Sequence, residues 1–210
     1  MSESREFERG VTAAVNASVQ PLLERYVARL ADGLRDKGYT RDLLVMNGNG
    51  GMVDASKVSR EAVKTVMSGP ASGVMAALAT GRRAGFPNLL TYDMGGTSTD
   101  VAMIKAGRAP VSNEIEVEYA MPIHVPMVDV RTVGAGGGSI ARVDAGGMLR
   151  VGPESAGSTP GPICYGRGGA RVTISDANLI LGRLPADRFG TAADAARAAM
   201  QDQIATPLGL

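Results

Sequence analysis

Cysteine is almost missing from this chain: Cys164 stands alone, so there is neither an internal disulfide framework nor a cysteine-based zinc site. Tryptophan is absent and aromatic residues make up only 4%, which argues against an aromatic-rich binding face. Neither sign of charge prevails, with 22 Lys+Arg against 21 Asp+Glu, so no electrostatic case exists for nucleic acid or a membrane surface as partner. No apolar run is long enough to cross a bilayer, and the first residues carry no basic-plus-apolar leader. The compartment expected on these grounds is a reducing cytoplasm. What is present is a globular composition, 44% hydrophobic over 210 residues, and 28 glycines. The glycine clusters therefore carry the information.

The densest chemistry lies in residues 91–101, TYDMGGTSTDV. Apolar, strand-like NLLTY precedes it and VAMI follows, so the segment is expected to be strand, tight turn, strand. Gly95 and Gly96 permit backbone angles and close approaches that a side chain would block, and Thr97, Ser98 and Thr99 add hydroxyls to the exposed amides. Such a turn can cup an anion. Asp93 before it and Asp100 after it are hard oxygen ligands suited to a hydrated Mg²⁺. A plain hairpin capped by two aspartates is the bland alternative, and two carboxylates, two glycines and three hydroxyls within eight residues weigh against it.

Along the chain, apolar positions three and four apart predict a helix from Glu6 to Lys37, with Pro21 marking a kink or break and Gly38 closing it. DLLVMN is expected to be a buried strand, DASKVSRE a short helix capped by Asp54, and AVKTVM a second strand. SGPASGVMAALATGRRAG predicts a helix of small residues, capped by Ser68 and stopped at Gly81 and Gly85. The strand before Asp93, DVAMIKAG and APVSNEIEVEYA should form three successive antiparallel strands. Beyond residue 123 glycine and proline punctuate the chain, SIARVDAGGMLRVGP predicts a hairpin with DAGG at its tip, and an Ala-rich helix is expected from Ala192 to Ile204.

GAGGGS at 134–139 is the second glycine-rich turn. Its spacing is wrong for a dinucleotide fingerprint and a hairpin strand follows it, not a helix. Gly136, Gly137 and Gly138 either offer successive N–H groups to a nucleotide or substrate anion or form a flexible corner, and the residues alone favour neither. His124, the only histidine, and Asp129 are expected to be structural, with substrate or metal contact as the alternative. Cys164 is expected to be a buried small hydrophobe, not a nucleophile, and Asp176 and Asn178 to be caps of the segment that follows.

Two resemblances meet in these residues. SGPASGVMAALATGRRAGFPNLLTYDMGGTSTDVAMI resembles the connecting helix and second phosphate motif of the actin-like ATPase superfamily, which implies an α/β, ribonuclease-H-like fold with a mixed sheet. More narrowly, NGNGG, SGPASG, DMGGTSTDV, VGAGGGSIARVD, VGPESAGSTPGPICYGRGG and TISDANLILGRL together resemble the hydantoinase A/5-oxoprolinase family, which includes N-methylhydantoinases and subunits of acetone-type carboxylases. The match covers nearly the whole chain. An α/β portion with connecting helix and phosphate motif is expected over 1–122, and a Gly/Pro-rich hairpin region with a C-terminal helical segment of the same domain over 123–210. Members of that family are several-fold longer and open with an earlier phosphate motif, Asp-x-Gly-Gly-Thr-x-Thr-Asp. Only one such element occurs here, so the resemblance implies a fragment, a truncated product or one piece of a split subunit.

The resemblance implies ATP and Mg²⁺ as cofactors, with Asp93 and Asp100 handling the metal or its waters and Gly95, Gly96, Thr97 and Ser98 holding the β- and γ-phosphates. It implies a small cyclic amide as substrate, a second, hydantoinase B-like subunit and the missing N-terminal domain as partners, and ATP-dependent ring opening as activity. A non-catalytic nucleotide-binding or scaffold piece of such a complex is the rival reading. A sugar or acetate-type kinase is a further one, against which the PGPICYGRGG stretch argues.

Overall fold

The computed structural model describes residues 5–113, 115–117, 121–190 and 192–210. They form two compact units, Met1–Thr91 with Ala102–Val130 and Tyr92–Val101 with Arg131–Leu210. The units interleave in sequence, each made of two separate stretches of the chain. Among the described residues the strands pair antiparallel in small sheets, not as the mixed sheet expected.

The first unit opens with α1 (Glu6–Asp36), one helix of 31 residues that runs through Pro21 without a break. Gly38, at φ 86°, ends it in the left-handed conformation that glycine adopts at low cost. Only Thr12 and Val27 are buried on it, and Leu22, Tyr26 and Leu30 of the apolar stripe are exposed. The Thr12 hydroxyl donates to the Glu8 carbonyl and accepts the His124 amide at 3.0 Å, which fastens the helix to the strand end at 124.

NGNGG joins β1 (Leu44–Met46) to β2 (Met52–Asp54) in an antiparallel pair. Asp54 then caps α2 (Ala55–Val58) as expected, its carboxylate accepting the Ser56 amide at 2.8 Å. The strand expected at AVKTVM is instead a 3₁₀ turn, Ser59–Thr65. Its buried residues are Ala62 and Val63, and Val58 at the end of α2 lies four residues before Ala62, a helical spacing that a count of β-branched side chains misses. α3 (Ser68–Ala84) follows, and Ser68 does not cap it: Met67 occupies the cap position with no side-chain bond. Gly85 stops the helix, whereas Gly81 lies inside it, where a Cβ would stand 2.4 Å from Leu89 Cδ1. Ala71, Val74 and Leu78 pack with Ala102, Ile104 and Val128 into one apolar cluster, and Val63, Ile123, Val125 and Met127 form another.

The boundary between units falls within β3 (Leu89–Met94) and β4 (Thr99–Ile104). The third strand expected to follow β4 does not lie beside it. β5 (Val111–Ser112) pairs with β8 (Met127–Val128), β6 (Ile115–Val117) pairs with β7 (Met121–Ile123), and the neighbour of β4 is β9 (Arg131–Val133). The chain folds back on itself as nested pairs, β6 with β7 inside β5 with β8 inside β4 with β9, so β4 meets a strand from some thirty residues further on.

In the second unit β10 (Ser139–Val143) and β11 (Leu149–Ser155) form the expected hairpin around DAGG. α4 (Ile174–Ile180) starts at a capping box in which Thr173 and Asp176 satisfy each other's amides. α5 (Ala192–Met200) continues as a π turn over Gln201–Ala205 and ends in α6 (Thr206–Leu208). Ile163, Cys164, Val172, Leu179, Ala196 and Ile204 make the core of this unit.

Candidate functional site

The turn between β3 and β4 is closed by the Gly95 amide, which donates to the Ser98 carbonyl at 2.8 Å. Asp93 lies two residues before that bond and Asp100 two residues after it, so both carboxylates flank the turn at the same remove. Asp93 is exposed and Asp100 half-buried. The Thr132 hydroxyl of β9 donates to Asp100 Oδ1 at 2.6 Å, which fixes one carboxylate oxygen and leaves the other available. Thr99 is buried with its hydroxyl on the Ala135 carbonyl, whereas Thr97 is exposed and Ser98 half-buried. Of the three hydroxyls, the structure therefore turns one inward as a staple and leaves two at the surface.

Neither Gly95 nor Gly96 has a positive φ. The backbone angles here are open to any residue, so room is what the glycines supply. A Cβ on Gly95 would stand 3.3 Å from the Ser98 carbonyl, and one on Gly96 would meet nothing within 4 Å.

The second glycine-rich stretch belongs to the same unit and grips the first. Gly137 N donates to the Gly95 carbonyl at 2.9 Å, Gly138 N to the Gly96 carbonyl at 2.6 Å, and Gly136 N to Ser139 Oγ at 2.9 Å. In GAGGGS the N–H groups of Gly136, Gly137 and Gly138 are thus all directed at protein acceptors. The pattern of residues held no sign of the acceptors, because they are carbonyls, which every residue carries. Ser139, Ser175 and Thr132 also hold this region in place, and of the three only the serine ending the GGGS run stands out in the sequence.

Away from the turn, His124 takes its place through its backbone amide on Thr12. Asp129 is half-buried, with its amide on the Pro110 carbonyl at 2.9 Å. Cys164 is buried as expected, and burial, followed by the adjoining Asp176 carboxylate, pushes its thiol up to about 12. A thiol so disfavoured as thiolate is no nucleophile at neutral pH. Asp176 is fully buried and accepts three hydrogen bonds, from Cys164 N at 2.7 Å and from Thr173 N and Oγ1 at 2.8 Å each. Asn178 lies inside α4, not at its end, and accepts from Arg183 at 3.3 Å.

Among the described residues, no three metal-ligating side chains gather in one place. Asp93 and Asp100 are thus a pair without a third ligand. A pair fits Mg²⁺, which keeps several waters and binds through one or two carboxylates and substrate phosphates, better than it fits a metal needing a closed protein cage.

The family model for hydantoinase/oxoprolinase matches residues 9–210. The chain is 41% identical to caprolactamase subunit alpha from Pseudomonas jessenii, over 98% of this chain and 30% of that one. The crystal structure of ATP-dependent caprolactamase from the same organism superposes with a TM-score of 0.73 at 38% identity, over 98% of this chain and 30% of that chain. Acetone carboxylase in its nucleotide-free structure gives 0.72 at 33% identity, over 89% and 27%. The chain therefore spans less than a third of the length of each of these relatives. With a family match over nearly its full length and these likenesses in both sequence and backbone, the chain belongs to the hydantoinase/oxoprolinase family.

Proposed function

We propose that this chain supplies one phosphate-holding wall of an ATP-dependent enzyme that phosphorylates and opens a ring amide. The observation that carries the reading is the 95–98 turn, where amides and two surface hydroxyls meet between two carboxylates. In it the backbone and hydroxyls of Gly95, Gly96, Thr97 and Ser98 hold the β- and γ-phosphates, and Asp93 and Asp100 hold Mg²⁺ or its waters. When bound, the metal would neutralise charge on the phosphate oxygens. Gly136, Gly137 and Gly138 serve the nucleotide from behind the turn. The order of helix, strand, turn and strand from α3 to β4 supports an actin-like ATPase ancestry for this part.

A ring amide is resonance-stabilised and a poor electrophile. Transfer of the γ-phosphoryl group to its carbonyl oxygen releases ADP and makes that oxygen part of a leaving group. Water then adds at the carbon, the C–N bond breaks as the ring nitrogen takes up a proton, and a second water hydrolyses the resulting acyl phosphate to carboxylate and phosphate. Catalysis of such a transfer is mainly positioning and charge stabilisation, which a turn of donors and carboxylates can provide. The family description and the relative named ATP-dependent caprolactamase support ATP and a cyclic amide. That relative is named as a subunit, which supports a further, hydantoinase B-like subunit as partner, and equally a second reading in which this piece binds nucleotide as a scaffold without catalysing.

The sequence holds a single Gly-Gly-Thr phosphate motif. One wall can hold phosphate without aligning it for in-line attack, so the 210 residues alone do not open a ring amide on this reading. In a complete enzyme carrying this segment, Thr97→Ala is expected to lower kcat at least tenfold with the fold intact. Asp93→Asn is expected to lower it further, because metal placement goes with the charge. Unchanged ATP-dependent turnover in both variants would reject the catalytic reading, and nucleotide binding without any turnover would select the scaffold.

A further inference from the structure

We propose that residues 136–138 are a backbone clamp that aims the amide donors of the 95–98 turn, a positioning role that rests on the nucleotide reading above. In a trans peptide the C=O and the following N–H point in opposite directions. The Gly95 carbonyl faces Gly137 N, so the Gly96 N–H, in the same peptide plane, points away from the clamp. The Gly96 carbonyl faces Gly138 N, so the Thr97 N–H does the same. Among the described residues neither N–H meets a protein acceptor. Two consecutive donors are thus held outward by bonds made on their far side, and the space over Gly96 is open.

The clamp is itself anchored. The Gly137 carbonyl accepts the Ser175 amide at 2.7 Å, and the Gly138 carbonyl accepts the Ala156 amide at 2.8 Å. Ser139, fully buried, takes the Gly136 amide. Ser175 lies in the first turn of α4, whose start is locked by the buried Thr173–Asp176 box. Turning either peptide of the phosphate turn would therefore break a bond to a segment that cannot follow.

The need for glycine here is steric. Gly136, Gly137 and Gly138 have no positive φ, so any residue could adopt their backbone angles. A Cβ on Gly136, however, would lie 2.7 Å from the Thr97 carbonyl carbon and 2.8 Å from both Gly95 O and the Gly96 carbonyl carbon. All three are backbone atoms of the turn and cannot swing aside. On Gly138 the Cβ would lie 2.9 Å from Gly96 O. Gly134, two residues before the clamp, has open space around it and serves as a matched control.

The test uses the 210-residue chain with Gly136→Ala, Gly134→Ala and Ser139→Ala, the last keeping the proposal testable should Gly136→Ala misfold. Three readouts apply: amide ¹H–¹⁵N peaks and exchange, Mg-ATP titration, and melting. Gly136→Ala is expected to move the Gly96 and Thr97 peaks, to speed exchange at Gly137 and Gly138 at least tenfold, and to weaken Mg-ATP binding at least tenfold, with the α4 amides from Ala177 onward unchanged. Ser139→Ala should do the same to a smaller degree, and Gly134→Ala should match wild type. Unmoved Gly96 and Thr97 peaks in Gly136→Ala or Ser139→Ala would overturn the clamp, as would moved peaks with wild-type affinity. Wild type that binds no Mg-ATP would count against the nucleotide reading, and the clamp would then stand or fall on the peaks and exchange alone.

Discussion

At the scale of single residues, the second unit depends on a carboxylate that touches no ligand. Asp176 sits fully buried and accepts the amides of Cys164 and Thr173, so it ties the turn at 163–165 to the first turn of α4. Removing it strands two buried N–H groups, at about 1–3 kcal/mol each. Asp176→Ala is expected to lower unfolding stability by roughly 3 kcal/mol in urea titrations, while Asp176→Asn, which keeps one acceptor oxygen, loses less. The Cys164 thiol should report the same loosening. Held up to about 12 by burial and the neighbouring carboxylate, it should react with a disulfide reagent at pH 8 only after unfolding in wild type, and measurably in Asp176→Ala. The signs agree, because a thiol whose folded value is raised favours the folded state up to its unfolded value near 8.5 and opposes folding above it. Sequence alone pointed to Asp176 as a cap and to Cys164 as buried, but not to their mutual contact, since nothing local links positions twelve apart.

Among the elements, those governed by local chemistry were legible and those governed by distant partners were not. The long helix α1, the Asp54 cap, the Gly85 stop and the DAGG hairpin each follow from a periodicity or a turn residue within a few positions. The stretch 62–67 departs from the expected strand because its three β-branched residues, Val63, Thr65 and Val66, favour a strand only if a neighbour pairs with it. The meander failed for a similar reason: β9, not β5, completes the sheet beside β4. The hairpin of β10 and β11 also gives a pH dependence. Asp144 accepts the amides of Gly146 and Met148 at 3.0 Å and the Arg150 guanidinium at 2.8 Å, and the Arg150 bond foremost holds its carboxyl below the usual range. A depressed folded value stabilises the charged form above the unfolded value near 3.9 and loses that stabilisation as pH falls through the folded value. Exchange at Gly146 and Met148 should therefore quicken, relative to unfolded peptide, as pH drops below about 4. Asp144→Asn should abolish that dependence, and an unchanged profile would show that the carboxylate does not hold the turn.

For the molecule as a whole, what the sequence lacked narrowed the possibilities before any fold was in view. With charge nearly balanced, few aromatic residues and, among the described residues, no helix long and apolar enough to cross a membrane, attention falls on the glycine-rich turns. Their motifs were sufficient to place the chain in its family, and the matches in sequence and backbone agree. The candidate site was legible as far as Asp93, Asp100 and the turn between them. Its other half was visible only as glycines, because the bonds that give residues 136–138 their place run from backbone to backbone. The central claim is that the turn at 91–101 receives Mg-nucleotide, and calorimetric titration of the 210-residue chain with a non-hydrolysable Mg-ATP analogue tests it most directly. Binding heat in wild type that requires Mg²⁺ and is lost in Asp93→Ala is the predicted result; equal heat in wild type and Asp93→Ala would contradict it.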